Sequence, residues 1–86
     1  MRHARDQDLD RVEPLIARIR AAGPRLTEKK RGVFYLKSKA FLHFHEDPKG
    51  MFCDVRTVDV SDWDRICVDA ADGADTVVNR VRLLAG

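Results

Sequence analysis

The chain has 86 residues, 44% hydrophobic and 35% charged, with a net charge of +2; this suits one globular domain near the lower size limit for unaided folding and argues against disorder. No apolar run approaches the roughly 20 residues of a membrane span, and the basic N-terminus leads into no signal-type apolar region, so a cytoplasmic protein is expected. The charge is uneven: residues 1–39 hold 11 basic and 5 acidic side chains and residues 40–86 hold 5 and 9, a polarity that can steer anions to one end or promote self-association.

In chain order, Met1 to Asp8 (MRHARDQD) is polar and without period, and is expected to fray. Leu9, Val12, Leu15, Ile16 and Ile19 recur at helical spacing, which predicts a helix over 10–22. Asp10 with Glu13 fits an N-cap and its third-residue partner, Pro14 falls in the tolerant first turn, and Gly23-Pro24 stops the helix. Residues 25–32 (RLTEKKRG) read as a basic connector. Its Lys29, Lys30 and Arg31 are candidate phosphate contacts, although such a run is ordinarily a solvated loop.

From Val33 to Arg56 the pattern changes to short alternating runs with turn residues between them. Strands are predicted at Val33–Leu36, Ala40–His45 and Met51–Arg56, turned by Lys37-Ser38-Lys39 and by Asp47-Pro48-Lys49-Gly50. The second turn has Asp at its first position, Pro at its second and Gly at its fourth, as a type I turn prefers. A connector, Thr57 to Asp64 around Trp63, leads to a short strand at Arg65–Val68. Asp69 or Asp72 then caps a last helix carrying the stripe Ala74, Val77, Val78, Val81, Leu84 and Ala85. The order predicts a single two-layer α+β domain over 1–86: an antiparallel meander of three to four strands with the N- and C-terminal helices on one face.

Strand alternation then sorts the two faces. Phe34, Leu36, Ala40, Leu42, Phe44, Cys53 and Val55 are expected inward. Tyr35, Phe41, His43, His45, Phe52, Asp54 and Arg56 are left on the outer face and form the candidate binding surface. A four-residue turn at 47–50 sets His43 across from Asp54 and His45 across from Phe52. A three-residue turn with Gly50 in a bulge would shift that register by one and bring both histidines to the face of Cys53 and Val55. The first register gives the more apolar core.

No complete catalytic, metal or nucleotide motif is present. His43 and His45 lie on one side of one strand, a spacing that can bind metal, and with Glu46 and Asp47 they resemble the HxH opening of a cupin site. The match ends there, because the chain is too short for a jelly roll. The expectation is therefore no metal or cofactor, with His43 and His45 as the only candidate ligands. Cys53 and Cys67 lack metal spacing and are expected to be reduced core thiols. Neither a nucleophile elbow nor a Gly-rich phosphate loop occurs. Nucleic acid has two partial supports, the basic stretch 25–39 and the aromatics of the outer sheet, but no complete recognition motif and a pI of only about 8.7.

Gly32-Val33-Phe34, Lys39-Ala40-Phe41, Trp63 and the closing helix together resemble a reduced MmcQ/YjbR-like domain, over roughly 10–85. That resemblance implies a small bacterial α+β fold, compared with a double-wing DNA-binding arrangement, and implies no established activity. The family has a further helix after the third strand, where only 57–64 stand here. The run FLHFHEDPKGMF reads as the signature of a related group. The sequence thus favours a non-enzymatic binding or interaction module that self-associates through its outer sheet face. Its alternatives are a nucleic-acid-binding accessory domain and a small metal- or ligand-dependent enzyme using His43 and His45.

Overall fold

The computed structural model describes residues 2–86, and Met1 lies outside the described residues. Along the chain it has β1 (Arg2–His3), α1 (Asp6–Asp10), α2 (Glu13–Ala22), β2 (Thr27–Lys30), β3 (Val33–Leu36), β4 (Lys39–Asp47), β5 (Gly50–Arg56), β6 (Trp63–Cys67) and α3 (Gly73–Ala85). The sheet runs β2-β3-β4-β5-β6, each neighbour antiparallel, and β1 pairs with β4. This is the α+β meander expected, with more strands than the alternation disclosed. No helix among the described residues is long and apolar enough to cross a membrane.

The β4–β5 hairpin takes the first of the two registers: Leu42 pairs with Val55, His43 with Asp54, Phe44 with Cys53 and His45 with Phe52. Its turn is stabilised by Lys49 N donating to Asp47 Oδ1 at 3.0 Å, as an Asx turn does. Inward residues of the sheet, among them Phe34, Leu42, Phe44, Met51, Cys53 and Val55, bury themselves against Leu9, Leu15, Ile16 and Ile19 of the first helices and Val77, Val78 and Val81 of α3. Cys53 is wholly buried on that inner face. Cys67 pairs with Phe52 on the other face and is only partly buried. Both thiols are free, but only Cys53 belongs to the core.

Three expectations are corrected. Residues 25–32 do not all form a connector: Thr27–Lys30 is an edge strand, its Glu28 clamped by Arg20 at 2.7 and 3.0 Å and accepting the Gly32 N–H at 3.0 Å. Charged side chains suit an edge strand, and pairing with β3 replaces the missing apolar face. Residues 2–10 are ordered rather than frayed. Arg2 and His3 take the place beside β4 that β3 leaves open beyond Leu42, pairing with Glu46 and His45. Asp8 then accepts the Arg5 N–H at 2.9 Å to start α1.

The third correction concerns Phe41. Between β3 and β4 the pairing passes from Phe34–Leu42 to Tyr35–Ala40, skipping Phe41. That is a β-bulge, which sends two consecutive side chains to one side. Phe41 and Leu42 are accordingly 1% and 0% exposed. Phe41 is core, not part of the outer surface, and Ala40, expected inward, pairs with Tyr35 and is only half-buried.

Candidate functional site

The outer face is built from rows that cross the strands. One row runs His3, His45, Phe52, Cys67 and the next runs His43, Asp54, Arg65. A third pairs Arg56 with Trp63, in the stretch that Phe41 vacates by bulging inward. Antiparallel partners share a face, so three histidines converge although one lies some 40 residues from the others. Their ring centroids are 4.7 Å (His43–His45), 5.0 Å (His3–His45) and 5.8 Å (His3–His43) apart. One donor atom from each lies within 4.8 Å of the others.

His3 is held there by its neighbours. Arg2 reaches Asp8 at 3.0 Å and Glu46 at 3.3 Å, and Ala4 N donates to Phe44 O at 3.2 Å. Trp63 closes the cluster on the β6 side, its ring 4.9 Å from His43 and covered at 4.0 Å by the Arg56 guanidinium.

Asp54 is the buried charge of the described residues, at 6% exposure. Arg65 grips both its oxygens at 2.8 and 2.9 Å, the two-pronged geometry a guanidinium offers a carboxylate. Burial acts to raise the Asp54 pKa, but the Arg65 bonds and charge, helped by His45 and His43, outweigh it and hold the carboxyl below its usual range. Asp54 Oδ2 also lies 3.0 Å from His45 Nε2, out of line for a hydrogen bond.

The ring nitrogens themselves are left wanting. Nδ1 of His43 and Nε2 of His45 are buried without a hydrogen-bond partner, a costly state for a polar atom. Burial, and then the neighbouring His45, hold the His43 pKa below the ordinary imidazole value against the pull of Asp54. A neutral imidazole offers a lone pair, which is what a metal ion needs.

Of the residues singled out from the sequence, the structure gathers His43, His45 and Asp54 at the centre, with Phe52 beside His45 in its row and Arg56 over Trp63. Tyr35 lies elsewhere, paired with Thr27 and Ala40 and with Lys29 Nζ 5.4 Å above its ring. Of the candidate phosphate contacts, Arg31 is engaged by Asp10 at 2.9 Å and Glu13 at 2.8 Å, so its charge is already compensated, while Lys29 lies over Tyr35 and Lys30 is exposed. His3, Trp63 and Arg65 were missed. His3 stood in a polar terminus and Trp63 in a supposed connector; only the β1 and β6 registers reveal them.

Comparison with protein-family models, with curated proteins and with solved structures gives no match.

Proposed function

We propose that this domain is a ligand-binding module working through its outer sheet face, and that the ligand is a divalent transition-metal cation held by His3, His43 and His45. The observation that carries the reading is the cluster of three imidazoles, one donor atom from each within 4.8 Å of the others, in which Nδ1 of His43 is buried without a partner. Imidazole nitrogens bind Zn²⁺ at about 2.0–2.1 Å, which sets three of them about 3.3 Å apart in a tetrahedral shell. From a spread of 4.8 Å, closing the shell takes ring rotations and a small approach of His3, which sits exposed on a two-residue strand. Asp54, fixed by Arg65, faces His45 Nε2 at 3.0 Å and would orient that ring from behind, which leaves His45 Nδ1 for the metal, as carboxylates do for metal-bound histidines. Three protein ligands leave a fourth position open for water or another donor.

Calorimetric titration of Zn²⁺ into the full chain tests this. One equivalent is expected to bind, with binding lost in His43→Ala/His45→Ala and weakened in His3→Ala; Co²⁺ should give the visible bands of a tetrahedral site. Uptake no greater in the wild type than in the double variant sinks the reading. Self-association through the same face is the second reading, favoured by that open position, which a donor from a second copy would fill. Sedimentation with and without Zn²⁺ distinguishes them: a monomer in both conditions leaves the position to water.

A further inference from the structure

A second site lies at the opposite end of β4, away from the histidines. There the β3–β4 turn, the loop at 57–62 and the C-terminal end of α3 enclose a cleft of about 350 Å³, within the range of small-molecule pockets. Leu36, Phe41, Val60 and Leu84 supply apolar walls, while Arg25, Lys37, Lys39 and Arg56 supply the polar lining. No carboxylate lines it. We propose that this cleft binds an amphiphilic organic anion, an oxyanion head on an apolar tail.

Charge is the first argument. Elsewhere on the molecule Arg2, Arg18, Arg20, Arg31, Arg65 and Arg80 each have a carboxylate within ion-pair distance. The two cleft arginines are anchored differently. Arg56 Nε donates to the carbonyl of Ala40 at 3.0 Å, and Arg25 Nη2 donates to the carbonyl of Leu84. A carbonyl fixes a guanidinium in place without cancelling its charge. Arg25 thereby also offsets the negative partial charge at the end of α3, which would otherwise repel an anion. Two positioned guanidiniums with unused N–H donors, beside two lysines, make a receptor for a carboxylate or phosphate.

Backbone strain is the second argument. Among the described residues, three non-glycine residues have positive φ: Lys37 at 51°, Ser38 at 70° and Val60 at 58°. For a β-branched residue such as Val60 this conformation is an outlier, and strain of this kind concentrates at ligand sites. Lys37 and Val60 both line the cleft. The loop that imposes it is tightly bonded: Asp59 accepts from Thr57 Oγ1 and Ser61 Oγ, both at 2.7 Å, and Val60 N donates to Thr57 O at 2.8 Å. With those bonds Thr57 and Ser61 hold the Asp59 carboxyl at a pKa of about 2.

Apolar area is the third. Val60 is 50% exposed, and Leu36 and Leu84, which also line the cleft, are only half-buried. A head group alone would leave these surfaces wet, whereas an apolar tail would cover them.

The proposal is tested by titrating the full chain, below micelle-forming concentrations, with decanoate, decyl phosphate, decanol and inorganic phosphate. The two amphiphilic anions are expected to bind at least tenfold more tightly than decanol or inorganic phosphate, and the tighter of the two identifies the natural head group. Decanol binding as well as decanoate reduces the cleft to an apolar hole; inorganic phosphate binding as well as decyl phosphate reduces it to a charge patch. Either result, or no binding by any of the four, overturns the proposal. Lys37→Glu/Lys39→Glu should lose tenfold or more in affinity for the anions with its melting temperature kept. Should that variant not fold, Val60→Asp, which places a carboxylate at the mouth in a conformation Asp tolerates, is expected to show the same loss. Undiminished binding in the folded variant counts against the cleft as the site.

Discussion

Strand β4 pairs with β5 without interruption from Asp47–Gly50 to Leu42–Val55, whereas its pairing with β3 skips Phe41. On the β5 side one rule suffices, because side chains alternate and the more apolar set turns inward. On the β3 side several local rules yield. An edge strand has no apolar face, a phenylalanine bulges into the core, and the lysine and serine of the β3–β4 turn take positive φ. The regular flank sets His43 and His45 in successive rows with Asp54 and Phe52, and the irregular flank opens a cleft. Alternation places side chains that are already in register; bulges and strained turns make room where a regular sheet would be closed.

The strongest way to break this comparison is to truncate one aromatic ring in the regular part of β4 and the one in its bulge. Phe44 and Phe41 are 2% and 1% exposed. Each change to Ala is expected to cost about 3–5 kcal/mol, a large share of the stability of so small a domain. Urea unfolding measures both. A Phe41→Ala protein within about 0.5 kcal/mol of the wild type, as a surface substitution would be, would return Phe41 to the outer face and remove the bulge.

What the sequence disclosed follows the same division. The β4–β5 register, the inward set Phe34, Leu42, Phe44, Cys53 and Val55, and the pairing of His43 with Asp54 were all readable, since each needs only period two and a known turn. β2 was not readable. TEKK has no apolar alternation, and the strand exists because Glu28 is clamped by Arg20 and Gly32. The Phe41 bulge left no mark in composition, and the nearby Lys37-Ser38 turn lacks the Asn-Gly usual for its positive φ values. His3 could join the site only once a two-residue strand had paired with β4, a contact too short to leave a pattern. Trp63 was visible as a residue but not as a row partner of Arg56, because β6 begins two positions before Arg65, where the strand was expected to start.

If β2 is held by charge rather than by burial, acid should loosen it. The Arg20 hydrogen bonds and the Gly32 N–H, against a smaller opposing effect of burial, hold Glu28 below its ordinary value of 4.5. The unfolded chain therefore takes up this proton first. The stabilisation is complete above pH 4.5 and is lost as pH falls through the lower folded value. Glu28→Gln is expected to melt below the wild type at pH 7, with the gap closing as the pH drops under 4.5. Other ion-paired acids, Glu13 and Asp8 among them, titrate in both proteins, so the difference between the two curves isolates Glu28. A gap independent of pH would show that β2 owes its place to something other than this carboxylate.

The smallest effect sharpens the comparison most, because it measures strain directly. Val58 and Val60 lie in the same loop, 58% and 50% exposed, so each loses little burial when replaced. Only Val60 has a positive φ, at 58°. Glycine raises the entropy lost on folding by roughly 0.5–1 kcal/mol, and Val58→Gly should show that cost alone. At Val60 the same substitution also relieves a left-handed conformation worth roughly 1–2 kcal/mol for a residue with a Cβ. Val60→Gly is thus expected to be neutral or stabilising by up to about 1 kcal/mol, a melting temperature unchanged or raised by several degrees. The informative quantity is the difference between the two variants, which cancels what exposed valines share. If both glycine variants fall by the same amount, Val60 is not strained, and the loop at 57–62 closes the cleft at no conformational cost.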